Sequence, residues 1–187
     1  MFKRFTMEEV SSQSQVKSSV GRGIKASILE IYPEIDGVLE EILPKKADMS
    51  LAKCTNHISI LAINKTPLFF QCRDGPWYPT LRLVHKYPDA FTTNAWRTDG
   101  GAIRFVLSGA NVMSPGFTHE DGEMATDIAV DAPVIITAFG KRHAMAVGQV
   151  KMSRDAISGT NTGIAVYDRV ENLHFCNDGL WQLTLLD

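Results

Sequence analysis

The spacing of apolar residues changes along this 187-residue chain, and that change constrains the fold more than any other feature. Residues 16–32 place apolar side chains at every fourth position, which predicts an amphipathic helix that Pro33 ends. Residues 35–43 repeat the pattern in a shorter helix that stops at Pro44. After residue 57 the apolar residues come in short runs typical of strands. The chain therefore predicts a helix pair followed by a sheet.

Two strand-like runs, His57 to Ile63 and Leu68 to Cys72, flank the polar turn at residues 64–67 and predict a β-hairpin. A further helix is expected between Pro79 and Pro88. The first ten residues and the serines after them predict a loosely held start. Together these elements indicate a compact α+β unit.

A turn-rich stretch without periodicity, residues 89–101, predicts a domain junction. We therefore divide the chain into an α+β domain at 1–95 and a mainly-β domain at 96–187. A capped helical turn is expected to begin at Ser153 and to close at Gly159. The spacing of the short strands in the second domain favours a small barrel. These strands are expected at Ile103 to Leu107, Val134 to Phe139, Ala144 to Val150, Gly163 to Tyr167 and Leu180 to Leu186.

The charge of the chain excludes a protein that coats nucleic acid by bulk electrostatics, because its formal net charge is −2. The first 95 residues carry 12 Lys/Arg against 10 Asp/Glu, and the remainder carries 7 against 11. Any RNA recognition by the second domain must therefore be local. No apolar run approaches the ~20 residues of a spanning helix, and residues 1–5 lack a secretory h-region. We expect a cytoplasmic protein without a membrane partner.

Catalytic and metal-binding patterns are not found in the sequence. Cys54, Cys72 and Cys176 are far apart and form no zinc-binding pair, so reduced thiols are expected. Ser108-Gly109 lacks the Gly-x-Ser-x-Gly form, and no glycine-rich loop ends in Lys-Ser/Thr. We expect neither catalytic residues nor a metal or other cofactor.

The most informative stretch is residues 105–116, in which a predicted strand enters a small-residue turn, a short helix begins and Pro115-Gly116 forms a second turn. Small residues let another backbone approach closely, and N–H groups at a helix start can donate to phosphate oxygens. The pattern alone is compatible with either packing or phosphate contact.

A resemblance carried by several segments extends this interpretation. Residues 102–113 (AIRFVLSGANVM), Pro115-Gly116 and residues 141–152 look like the PUA domain of the malignant T-cell amplified sequence family, and residues 170–175 and 177–181 look like its closing region. The run RDGPWYPTLRLVHKYP at residues 73–88 is similar to the end of that family's N-terminal domain. Two stretches differ from the family: the acidic segment Thr118–Asp127 and a longer tract at residues 159–168.

The resemblance implies a PUA-type pseudobarrel after the α+β domain, and a non-catalytic factor in translation initiation, reinitiation and post-termination recycling. Its implied partners are a density-regulated protein homologue, the small ribosomal subunit and the acceptor end of tRNA. The N-terminal domain would contact the subunit and the protein partner. An RNA-targeting accessory subunit of an RNA-modification enzyme is the alternative, since such enzymes also use PUA domains.

The candidate RNA-binding residues come from two sources. The resemblance implies that the small-residue turn and the segment after it contact RNA. Four cations are added because of their charge and their position in the sequence. These residues are Ser108, Gly109, Ala110, Asn111, Ser114, Pro115, Gly116, Lys141, Arg142, Lys151 and Arg154.

Overall fold

The computed structural model describes residues 2–167 and 174–186, and its first half is built on a five-stranded antiparallel sheet. The strands lie in chain order, each paired with the next. They are β1 (Val10–Gln15), β2 (Met49–Cys54), β3 (Ile58–Ile63), β4 (Thr66–Cys72) and β5 (Trp77–Pro79). Three helices accompany them: α1 (Ser18–Ile31), α2 (Leu39–Ile42) and α3 (Leu81–Lys86). Short 3-10 helices lie at Met7–Glu9, Pro33–Val38, Thr55–His57 and Pro88–Asn94.

The predicted first helix and the predicted hairpin are both confirmed. Helix α1 buries Ile24 and Ile28 on one face, as the four-residue spacing requires, although Val20 remains 52% exposed. In the hairpin, Asn64 and Lys65 adopt positive φ angles of 49° and 67° and connect β3 directly to β4. That backbone matches the twist of a two-residue hairpin turn, so the turn is shorter than the four residues expected.

The expectation of a loosely held start is wrong. Phe2 is fully buried and Phe5 is 4% exposed, and β1 pairs with β2 along its length. The serine-rich composition of β1 obscured its strand character, because five of its six residues are exposed on the edge of the sheet. Residues 2–5, which we call the arm, are therefore part of the folded core.

The second half is built on a six-stranded sheet with short helices around it. The order is β6-β8-β9-β10-β7, with β11 also paired to β9, and only the β6–β8 pair is parallel. The strands are β6 (Ala95–Thr98), β7 (Val112–Met113), β8 (Pro133–Ala138), β9 (Ala146–Val150), β10 (Ile164–Tyr167) and β11 (His174–Phe175). A 3-10 helix lies at Gly100–Ala102, and the α-helices are α4 (Ile103–Val106), α5 (Ser114–Thr118), α6 (Arg154–Thr160) and α7 (Gly179–Gln182).

Three predicted strands of this half are confirmed as β8, β9 and β10, and two are wrong. The segment Ile103 to Leu107 forms helix α4, because Asp99 caps a helical turn by accepting a hydrogen bond from Gly101 N at 2.7 Å. The segment Leu180 to Leu186 begins in helix α7. There Asp178 supplies the cap, accepting from Trp181 N at 2.8 Å.

The predicted cap of helix α6 is confirmed, since Ser153 Oγ accepts a hydrogen bond from Ala156 N at 3.3 Å. The helix ends one residue later than expected, at Thr160, and is followed by Asn161, whose φ of 48° places it in the left-handed region. Of the predicted closing region, residues 170–173 lie outside the described residues, as do 168 and 169.

The two halves share a core across the expected junction. Ile135, Ala144, Val147, Leu180 and Leu186 belong to the second half yet pack in the hydrophobic core of the first. The second half also has a core of its own, centred on the fully buried Trp96. The junction stretch is ordered: it contains the 3-10 helix Pro88–Asn94 and strand β6. This packing fixes where the surfaces of the two halves meet.

Candidate nucleic-acid interface

The turn that follows helix α4 is closed by its own backbone. Gly109 N donates to Val106 O at 2.9 Å, and Ala110 N donates to Phe105 O at 3.0 Å. Gly109 has φ +88°, a backbone conformation that residues with a side chain adopt only with strain. The turn itself therefore requires glycine at this position. Ser108, Ala110 and Asn111 are exposed beside it. The turn therefore presents a small, uncharged surface to solvent.

The next three candidates lie in helix α5, where a Pro-Gly turn was expected. Ser114 is fully buried, and its hydroxyl donates to Gly163 O at 3.2 Å or to Thr162 O at 3.1 Å. A Cβ at Gly116 would collide with the Thr98 hydroxyl. Ser114 and Gly116 thus hold the helix against its neighbours, and Pro115 is the exposed member of the three.

The four candidate cations lie on three separate parts of the second half. Lys141 and Arg142 are exposed in the loop between β8 and β9, where Lys141 N donates to Ala138 O at 3.0 Å. Lys151 follows β9 and is exposed, and Arg154 begins helix α6. Helix α5 contacts both β6 and α6, and β8 pairs with β6. The structure thus distributes these cations over three positions, of which only the start of α6 belongs to an element that contacts α5.

Sequence reasoning missed two neighbours of the turn. Lys3 of the arm donates from its Nζ to Ser108 O at 3.2 Å, across 105 positions of sequence. Phe105 is 52% exposed, and the Arg104 guanidinium lies 4.6 Å from its ring centroid. Two phenylalanines, Phe2 and Phe5, flank two cations in the sequence, and this pattern could have suggested an arm anchored by its aromatic side chains. Its docking position depends on distant residues and was not predictable.

The acidic segment Thr118–Asp127 covers an edge of the second sheet. Arg97 and Glu123 exchange two backbone hydrogen bonds, at 2.8 and 2.7 Å, and their side chains form a salt bridge of 2.9 Å. Arg97 also donates from Nε to Asp121 O at 3.1 Å. The segment thereby blocks the free edge of β6 and neutralises a cation that would otherwise face solvent.

A groove of about 580 Å³ lies between the end of α1 and the loop before β8. Glu30, Asp127 and Asp131 contribute carboxylates to its lining, and no Lys or Arg lines it. Such a groove repels phosphate, so RNA is expected elsewhere on the molecule.

A buried histidine–carboxylate pair joins the two halves. His174 Nε2 accepts from Leu81 N at 3.0 Å, at the start of α3, so its Nδ1 carries the hydrogen donated to Asp178. Asp178 also accepts from Phe175 N at 2.9 Å and Trp181 N at 2.8 Å. Every polar atom of the pair has an internal partner, which fits a clamp and leaves no group for acid–base chemistry.

A second cluster of rings lies where α3, α7 and the β8–β9 loop meet. His85 Nε2 donates to Ala144 O at 2.6 Å, and its ring lies 4.8 Å from that of His143 and 5.0 Å from that of Trp181. Burial lowers the pKa of His85. The hydrogen bond to Ala144 opposes this shift, and the neighbouring charges of His143 and Arg82 lower the pKa further. The ring is therefore held in its neutral form.

Cys54 and Cys176 are not activated as nucleophiles. Burial, reinforced by Glu9, raises the pKa of Cys54 to about 11, and burial with Asp178 does the same for Cys176. The protonated thiol is therefore favoured at both sites at neutral pH. Across residues 2–167 and 174–186 no group of three or more His, Cys, Asp and Glu residues is arranged to hold a metal ion. Within the same ranges no helix is long and apolar enough to cross a membrane.

Comparisons with known proteins agree with this architecture. Residues 5–88 match the family model described as a Pre-PUA-like domain, and residues 94–179 match the one described as the elF2D PUA domain. A solved hypothetical protein from Pyrococcus horikoshii superposes with a TM-score of 0.73 over 92% of this chain and 99% of its own, at 21% identity. That likeness supports the fold. The chain is thus a two-domain protein in which a pre-PUA domain precedes a PUA domain.

Full-length relatives narrow the class further. Malignant T-cell-amplified sequence 1 of Danio rerio is 48% identical over 184 residues, covering 98% of both chains. Translation machinery-associated protein 20 of Schizosaccharomyces pombe is 44% identical over 186 residues, covering 99% of both. Malignant T-cell-amplified sequence 2 of Homo sapiens is 46% identical over 184 residues, covering 98% of both. The chain belongs to the malignant T-cell-amplified sequence family, a translation-associated family.

Proposed function

We propose that this protein is a non-catalytic translation factor that binds the small ribosomal subunit and tRNA. It would act in initiation, reinitiation and post-termination recycling, in the cytoplasm, as a heterodimer with a density-regulated protein homologue. The observation that carries the proposal is similarity over 98–99% of the chain to family members, one of them named for the translation machinery. Because both domains match, the proposal does not depend on the PUA domain alone.

The exposed turn at residues 108–111 supports RNA binding by the second domain. Residues 100–118 contain no Asp or Glu, although the second half as a whole carries 11 acidic against 7 basic residues. The acidic segment is held at β6 through Arg97 and Glu123. Phosphate can therefore approach this turn without meeting a carboxylate of its own segment, and the nearby cations would add local attraction.

The histidine–carboxylate pairs support a role without catalysis. The buried pair His174–Asp178 is fully occupied by backbone partners. The other pair, His119 and Asp121, lies 3.6 Å apart on the surface, and the His119 ring accepts from Asp121 N at 3.1 Å. Among the described residues neither pair hydrogen-bonds a side-chain hydroxyl or thiol that it could activate as a nucleophile for covalent catalysis.

Two measurements test the proposal. Affinity purification of the tagged full chain followed by mass spectrometry should recover a density-regulated protein homologue together with small-subunit proteins. Recovery of an RNA-modification enzyme in their place would favour the accessory-subunit alternative. Direct titration of tRNA should show binding that weakens with salt.

Two cations of the β8–β9 loop, Lys141 and Arg142, allow a sharper version of the titration. Each phosphate contact to single-stranded RNA contributes ~0.7 to the slope of log K against log salt. Replacing Lys141 and Arg142 by alanine should therefore reduce that slope by about 1.4. If the variant stays folded and binds tRNA with the wild-type slope, the β8–β9 loop is not part of the RNA-binding surface.

A further inference from the structure

The arm is held in place by its two aromatic residues. The Phe2 ring meets the rings of Phe70 and His174 edge-on, at centroid distances of 4.9 and 5.7 Å. Phe2 O accepts from Gly179 N at 2.7 Å and from Phe5 N at 3.1 Å, which closes the arm into a turn. A Cβ at Gly179 would collide with the Phe5 backbone, so glycine there permits the close approach. The arm thus bridges the first sheet and the start of α7.

This anchoring directs the two intervening cations outward. Lys3 and Arg4 are exposed between the buried Phe2 and Phe5. Lys3 Nζ reaches the carbonyl of Ser108, which places an ammonium group at the turn of the second domain. Because the backbone of the arm is anchored and Lys3 is held at Ser108, the Lys3 charge is already positioned before any ligand arrives, which lowers the ordering cost on binding.

The neighbouring surface combines an exposed ring with another cation. Phe105 is 52% exposed and has the Arg104 guanidinium 4.6 Å from its centroid. The turn connects these groups to the arm, because Ser108 Oγ donates to Phe105 O at 2.7 Å. Lys3 thus reaches a stretch of 19 residues, 100–118, that contains Arg104 and carries no carboxylate side chain.

An exposed aromatic ring flanked by fixed cations is the arrangement that binds unpaired nucleotides. The ring stacks on a base, while ammonium and guanidinium groups contact the adjoining phosphates. A paired base inside a helix is already stacked on both faces and cannot use the ring. The expected ligand is therefore a single-stranded segment or end of RNA.

We propose that the arm is part of the RNA-binding surface. Lys3 and Arg4 contact phosphates, and Phe105 stacks on an unpaired base at the 3′ end of the same strand. This deepens the proposed function and rests on it, since it assigns residues of the pre-PUA domain to the RNA contact of the PUA domain. The surface is composite, so neither domain contains all of it.

Titration of fluorescent tRNA with the full chain tests the arm. The variant Lys3→Ala/Arg4→Ala keeps both anchoring phenylalanines, so its thermal unfolding should match the wild type. Its slope of log K against log salt should fall by about 1.4, for two lost contacts. The matched control Arg22→Ala/Lys46→Ala removes the same charge from exposed positions of the first domain and should keep the wild-type slope.

The stacking contact is tested with two tRNA probes, one intact and one lacking its unpaired 3′ nucleotides. Phe105→Leu should weaken binding of the intact tRNA about tenfold, within the range measured for one base–aromatic stack. Phe105→Trp should restore it. The shortened tRNA should bind the wild type and Phe105→Leu alike. Equal effects on both probes would overturn the assignment of Phe105 to an unpaired 3′ base.

The outcomes separate this inference from the proposed function. If the wild type binds tRNA and the arm variant binds like its control, the arm is excluded and the translation role stands. If the arm variant instead loses its protein partner while tRNA binding is unchanged, the arm is a protein interface and the inference is wrong. Failure of the wild type to bind any tRNA would overturn both.

Discussion

The Nδ1–H of His174 donates a hydrogen bond of 2.8 Å to Asp178 Oδ2, and both side chains are completely buried. The other ring nitrogen, Nε2, accepts a hydrogen bond from Leu81 N at the start of α3, in the first half. Asp178 caps α7, in the second half, so the pair connects the two helices. The same histidine ring packs against Phe2 of the arm. One residue therefore holds three separate segments together.

Removal of this ring should destabilise the whole protein. His174→Ala leaves Leu81 N–H without a partner inside the core and removes one of the two hydrogen bonds that Asp178 Oδ2 accepts, which costs about 3 kcal/mol in the free energy of unfolding. Urea unfolding measures the loss. The control His119→Ala removes an exposed histidine and should change stability by less than about 0.5 kcal/mol. Equal losses would show that the buried pair is not a clamp.

The lowered pKa of His85 predicts a specific pH dependence. Because burial depresses the folded-state pKa below the ordinary value of 6.5, the unfolded chain binds more protons as pH falls below that value. The contribution of this residue to stability is therefore present above pH 6.5 and is lost as pH falls towards the folded pKa. His85→Gln should unfold with a shallower dependence on pH in that window. An unchanged dependence would contradict a neutral, half-buried ring.

The turn at Gly109 should not tolerate a side chain. Its φ of +88° is strained for β-branched residues, so Gly109→Val is expected to lower stability by about 1–3 kcal/mol. Gly23→Ala is the matched control, since Gly23 lies exposed in α1 with open space around it, and it should stabilise by about 0.5–1 kcal/mol. Thermal unfolding distinguishes the two. A stable Gly109→Val protein would show that the turn can adopt another backbone.

A substitution at Gly179 should show whether tRNA binding depends on the docked position of the arm, because it leaves the charges of the arm unchanged. Gly179→Ala forces a Cβ against the Phe5 backbone and should displace the arm, lowering both thermal stability and tRNA affinity. Gly100→Ala meets no neighbour and should change neither. If Gly179→Ala loses stability while tRNA binding persists at wild-type strength, the arm does not need its docked position to support RNA binding.

Helix α1 and the β3–β4 hairpin were predictable because local sequence determines them. The four-residue apolar spacing at Ile24 and Ile28 and the turn at Asn64 each favour one structure over its alternatives. Helix α4 was mistaken for a strand because Ile103, Phe105 and Leu107 alternate as strand residues do. The last two of them are 52% and 38% exposed, so their alternation does not mark a buried face.

The candidate site was predictable only where it lies within one segment. The small-residue turn at Ser108 was found from its composition and from the family resemblance. The arm was not, because the residues that fix Phe2, namely Phe70, His174 and Gly179, are at least 68 positions from it in sequence. Ser114 was assigned to RNA contact, yet its burial follows from a hydrogen bond to Gly163, which local sequence does not reveal. Tertiary contacts, rather than propensity, decided these positions.

The central claim, a translation factor that acts on the ribosome, is tested most directly by sedimentation with purified small ribosomal subunits. We predict that the full chain co-sediments with the subunit in stoichiometric amounts, and that addition of the density-regulated protein homologue increases the bound fraction. His174→Ala, with its clamp removed, should bind less. A chain that stays in the supernatant with and without the partner, while its unfolding curve shows it to be folded, would contradict the account.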